Sequence, residues 1–99
     1  MSSQLDWLLA NMEHAKDGTD ANSNIIMCDV LVTAIAADLR TRLDEKQRAG
    51  KYGWWQEDVC TVAHLEAGLQ RGIDRHEMLD VIAYAAMIYA REKAIDKKG

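Results

Sequence analysis

The 99-residue chain has no proline and no phenylalanine, and only two cysteines. With proline the main helix breaker is missing, while Ala, Leu, Glu, Lys, Arg and Met, the residues that favour helix, are plentiful. Clusters of β-branched residues bounded by turn signals are also missing, which excludes a sheet. The reading is an all-α chain, a small bundle of about four helices completed by oligomerisation. Cys28 and Cys60 have no CxxC spacing, so they are expected to be reduced core residues rather than a disulfide framework.

Excess positive charge is lacking as well. The formal charge of −4 gives no general attraction to nucleic acid or anionic lipid, so neither direct nucleic-acid binding nor membrane association is expected. No basic-then-apolar leader opens the chain, and Asp80 interrupts the longest apolar stretch, so a cytoplasmic protein is expected. No Gly-rich phosphate loop, nucleophile elbow or zinc pattern occurs. His14, His64 and His76 fall at no metal-ligand spacing and read as structural or exposed.

What is present is a 48% hydrophobic, 28% charged sequence of one-domain length. Residues 3–16 place Leu5, Leu8, Leu9 and Met12 at helical spacing. A polar loop follows, in which Asn22 or Ser23 would cap a second helix over 25–49. Ile25, Cys28, Val32, Ile35 and Leu39 recur there in alternating steps of three and four, a bundle seam. Ile26, Met27, Val30, Leu31 and Ala34 make other faces apolar too. One short chain has little to cover them, so a dimer or larger assembly is expected, with Ile25, Val32, Ile35, Leu39, Val81, Ile82 and Ile88 as interface.

A third helix is predicted over 58–71, capped by Asp58 or Thr61 and ended by Gly72. A fourth is predicted over 74–95, opened by a capping box of Asp74 and Glu77 with Ile73 and Met78 as a hydrophobic staple. Glu77 and Asp80 share a face of that helix and would suit a divalent cation such as Mg²⁺. Asp80 sits among Met78, Leu79, Val81 and Ile82, so its carboxylate needs a metal, a base or hydrogen-bond donors. A salt bridge to an Arg of the second helix is the alternative. Upstream, residues 40–55 carry five basic and two acidic residues, net +3. Arg40, Arg48 and Lys51 beside Tyr52, Trp54 and Trp55 would hold phosphates and stack a base, or a protein partner; otherwise the tryptophans pack over the bundle.

Val62-Ala63-His64-Leu65-Glu66-Ala67-Gly68-Leu69, the turn at Gly72 and Glu77-Met-Leu-Asp80-Val-Ile-Ala-Tyr-Ala-Ala-Met-Ile together resemble the core of MazG-like all-α nucleotide pyrophosphohydrolases, especially small phage and prophage proteins of that type. Lys51-Tyr52-Gly53-Trp54-Trp55 resembles the Gly-Trp turn that often precedes that core. The similarity spans roughly residues 35–92, within a helical core over 25–99, and residues 1–24 have no counterpart. The resemblance implies one helix with Glu-Glu-x-x-Glu or Asp and a second with Glu-x-x-Asp, binding Mg²⁺ to cleave a nucleoside triphosphate between its α and β phosphates. Glu77 and Asp80 match the second half. Cys60, Thr61 and His64 stand where the three acids of the first half belong.

The expectation is therefore a non-catalytic phage-type protein, with no catalytic residues and no cofactor, that binds a macromolecular partner such as a host defence or regulatory protein. The acidic chain would suit a basic partner. The alternatives are a Mg²⁺-dependent nucleoside triphosphate pyrophosphohydrolase and a nucleotide sponge without catalysis.

Overall fold

The computed structural model describes residues 3–14, 18–51 and 53–98, with side chains for 5–13, 18–51 and 53–95. The fold is all-α, with four helices and, among the described residues, no strand: α1 Ser3–His14, α2 Ala21–Arg48, α3 Val62–Asp74 and α4 Met78–Lys98. The chain divides into two compact units, Met1–Arg40 and Thr41–Gly99, so the division falls inside α2 rather than near residue 24.

In the first unit Asp20, not Asn22 or Ser23, caps α2. Its carboxylate accepts the Ser23 backbone N–H at 2.8 Å and its carbonyl accepts that of Asn24 at 3.0 Å. The hydrogen bond from Ser23 holds the Asp20 carboxyl below the usual range. The core consists of Leu8, Val30 and Ala34 with Met27 packed against it. Leu5, Trp7, Leu9, Met12, Ile25, Ile26, Leu31 and Val32 are exposed, Val32 by 67%. Cys28 is exposed too, contrary to its expected place in a core.

Helix α2 also meets the length and composition of a membrane-crossing helix, a test that core helices of soluble proteins and signal sequences pass as well. The apolar stretch interrupted by Asp80 is thus not the only long one.

In the second unit α3 packs on α4. Leu65, Tyr84 and Met87 form the core, joined by Leu43 from the end of α2, Trp54, Cys60, Leu69 and Ile88. Gly68 is the point of closest approach. A Cβ there would lie 2.5 Å from the hydroxyl end of the Tyr84 ring, so any side chain at 68 would push the ring away. Val81, Ile82 and Ile88, expected at a subunit interface, are half-buried within the unit, with Val81 against Gly72 and Ile88 against the core.

The junction of α3 and α4 differs from the capping-box reading. Helix α3 runs through Gly72 to Asp74 and ends in a Schellman motif. The Glu77 N–H donates to Gly72 O (2.8 Å) and the His76 N–H to Ile73 O (3.2 Å). His76 takes the left-handed position, φ 57°, that glycine usually fills. Glu77 is then the residue before α4, its carbonyl accepting the Val81 N–H at 3.1 Å. Asp74 instead accepts from the Gln70 side chain, and Ile73 and Met78 are exposed rather than stapled. Of the two caps expected for α3, Thr61 is used: its hydroxyl accepts the His64 N–H at 3.0 Å.

Candidate functional site

The site lies in the second unit, between the last turns of α2, the loop 50–60 and the α3–α4 pair. Asp80 is paired by Arg42 through two hydrogen bonds, Nε to Oδ1 at 2.6 Å and Nη2 to Oδ2 at 3.1 Å. The forked geometry of a guanidinium matches both oxygens of a carboxylate, making this the strong form of ion pair. Lys46 Nζ lies 3.5 Å from Asp80 Oδ1. The same nitrogen receives help from Tyr84, whose hydroxyl oxygen is 3.4 Å away and whose ring centroid is 4.5 Å away.

Arg42 and Lys46 stand four apart on α2, as Asp80 and Tyr84 do on α4, so the two pairs form successive rungs. Lys46 is only 5% exposed, an uncommon burial for lysine that this pairing accounts for. The Arg42 hydrogen bond, with the positive charge of Lys46, holds the Asp80 carboxyl down at about 2 against the opposing effect of desolvation. The same bond raises the Arg42 guanidinium. Arg42 Nη1 also reaches Glu45 at 3.1 Å.

Beside this lock lie a cavity of about 200 Å³ lined by Leu43, Lys46, Lys51, Trp54, Trp55 and Met87 and two others. The smaller, about 130 Å³, is lined by Arg42, Lys46, Lys51, Arg71, Arg75, Glu77, Asp80 and Tyr84 with Gly68 and Gly72. Five cations face two acids there, in a chain of net charge −4. The larger, about 440 Å³, is lined by Trp54, Val59, Cys60, Thr61, His64, Leu65, Tyr84 and Met87, with Lys46, Gly50 and Lys51. Lys46, Lys51 and Tyr84 border both. A volume of several hundred Å³ is typical of small-molecule sites.

Arg91 secures the loop between α2 and α3. Its guanidinium donates to the carbonyls of Trp54 and Cys60, and to Glu57 Oε1 at 2.6 Å. Gly53 is left-handed, φ 75°, and a Cβ there would meet Val59 at 2.5 Å. The Trp54 ring is thereby fixed over the core, with Trp55 edge-on to it at 5.7 Å and largely exposed.

Of the residues expected to bind a nucleotide or partner, Lys51, Trp54 and Trp55 line cavities of this unit. Arg48 is exposed and borders none of these cavities, Arg40 belongs to the first unit, and Tyr52 lies outside the described residues. Sequence reasoning missed Arg71, Arg75 and Arg91, and placed Lys46 only among the five basic residues of 40–55. The four-residue spacing of Arg42 with Lys46 and of Arg71 with Arg75 was the available signal.

The donor set does not fit Mg²⁺. Both oxygens of Asp80 are taken by cations of the chain itself. Glu77 and Asp80 line the smaller cavity, whereas Cys60 and His64, soft donors, line the larger, and Thr61 is used as a cap. Among the described residues no group of three His, Cys, Asp or Glu side chains gathers. Comparison with protein-family models, with curated proteins and with solved structures finds no match.

Proposed function

We propose that the chain is a non-catalytic binding protein of MazG-like descent whose partner is a macromolecule. The observation that carries this is the apolar surface of the first unit. Eight large hydrophobic side chains of α1 and the start of α2 are exposed, over a core of three buried residues. Large apolar side chains exposed in that number over so small a core point to an interaction surface. The pairing of Asp80 supports the non-catalytic part. A carboxylate bound by Arg42 and Lys46 neutralises those cations and leaves little charge with which to draw a metal. A phage or prophage protein acting on a host protein in the bacterial cytoplasm is consistent with this reading.

A second reading, a nucleotide-binding sponge, is favoured by a different observation. Lys51, Arg71 and Arg75 gather at the small polar cavity, adjoining a larger one walled by Trp54. Cations beside an aromatic-lined cavity suit phosphates and a base.

One experiment decides among the readings: incubation with a nucleotide panel and Mg²⁺ or Mn²⁺, following pyrophosphate release and thermal shift. The proposal expects no release. Release abolished by Asp80→Asn overturns it in favour of the hydrolase. A thermal shift without release, lost in Arg71→Ala, establishes the sponge.

A further inference from the structure

Helix α2 has two apolar faces in the first unit, and the second of them is only partly covered. Met27, Val30 and Ala34 meet Leu8. Ile25, Cys28, Val32, Ile35 and Leu39 fall about 150° around the helix from that face at 100° per residue. Ile25, Cys28 and Val32 are exposed, and Ile35 and Leu39 are half-buried. The three-and-four spacing is that of a seam which receives another helix, with β-branched residues at three of its five positions.

Charge says which helix. Residues 1–40 carry six acids and two bases, a formal −4, whereas residues 41–99 carry ten of each. The whole net charge of the chain belongs to the first unit. The positions flanking the seam are Asp29, Leu31, Ala36 and Asp38, with two acids and no base. Flanking charges set partner choice in helix pairing. Two copies of this unit would each bring a formal −4 and no base at the flanking positions of the seam, and an anionic lipid surface would be repelled.

We propose that the α2 seam over residues 25–39 docks an amphipathic helix of another protein whose flanking positions carry Lys or Arg. This rests on the binding reading above and names the partner's chemistry. The apolar seam supplies burial, and Asp29 and Asp38 select basic flanks and against self-pairing.

The test uses two synthetic peptides of about three heptads with the same apolar seam, one flanked by Lys and one by Glu. Binding to the full chain is followed by fluorescence anisotropy. The Lys-flanked peptide is expected to bind at least tenfold tighter, with the gap narrowing as salt rises. Val32→Glu and, separately, Ile25→Glu should each weaken it at least tenfold with helicity and unfolding temperature unchanged. Equal affinity for the two peptides, binding of neither, or binding indifferent to both substitutions overturns the proposal. So does preferential uptake by anionic phosphatidylserine vesicles, or a dimeric mass in light scattering that Val32→Glu abolishes. Pyrophosphate release would sink the binding reading itself, whereas these outcomes sink only the occupant named here.

Discussion

Residues 41–99 bury Leu65, Tyr84 and Met87 among half-buried neighbours, and they match Arg42, Lys46 and Arg91 with Asp80, Tyr84 and Glu57. Residues 1–40 bury only Leu8, Val30 and Ala34 and leave eight large apolar side chains to solvent. Both are built from helices. The difference is the number of apolar faces for which the unit supplies cover. Helix α4 buries Ala83, Tyr84 and Met87 in the second unit while Met78, Tyr89 and Ile95 stay exposed, whereas the start of α2 leaves Ile25, Cys28 and Val32 of its seam exposed and Ile35 and Leu39 half-buried. Surface that a chain leaves apolar over several turns points to a partner, and charge left unbalanced beside it points to that partner's sign.

The largest expected contrast comes from shortening one buried side chain. Leu65→Ala, at a position only 1% exposed, should cost about 3 kcal/mol, read from urea denaturation followed by tryptophan fluorescence. Asp80→Asn comes next. It leaves Arg42 and the buried Lys46 without their carboxylate, and because Arg42 is partly solvated the loss should be about 2–3 kcal/mol, below that of a fully buried pair. A loss under about 0.5 kcal/mol would mean that the pair is no more than a surface contact.

Acid should act on the same pair. The Asp80 carboxyl titrates at about 2 in the folded chain, below its ordinary 3.8. Its stabilisation is therefore complete above pH 3.8 and is lost as pH falls from there through about 2. Roughly 2 kcal/mol should disappear over that window in the native chain and be absent from the pH profile of Asp80→Asn. The smallest effect belongs to the other unit: Val32→Ala, at an exposed position, should change stability by under about 0.5 kcal/mol. A cost comparable to that of Leu65→Ala would erase the contrast between the two units.

Much of this was legible in the residues. Helical composition and the absence of β-branched clusters gave the all-α class, whereas the spacing that picked out Ile25 to Leu39 did not find the face of α2 that packs in the first unit, which is Met27, Val30 and Ala34. That Asp80 needed a partner followed from its apolar neighbours, and an Arg of the second helix, Arg42, supplies it. The α3–α4 junction was not readable. Asp74 and Glu77 have capping-box spacing, yet the chain uses Glu77 as the residue before α4 and places His76 left-handed, a conformation that sequence signals assign to Gly or Asn. The burial of Lys46 was hidden for a similar reason. Lysine reads as exposed, and its burial depends on Tyr84 and Asp80, 38 and 34 residues away in the chain. The capping role of Thr61 was foreseen as one of two choices, but the hold of Arg91 on residues 54–60 depends on backbone carbonyls, which side-chain patterns do not announce.

Amide hydrogen exchange on the full chain alone tests most directly whether one unit is finished and the other awaits a partner. Amides of α1 and of residues 21–40 should exchange about a hundredfold or more faster than those of residues 62–95, because so small a core opens at low cost. Equal protection across the two units would contradict the account, since it would mean that residues 1–40 are complete without a partner.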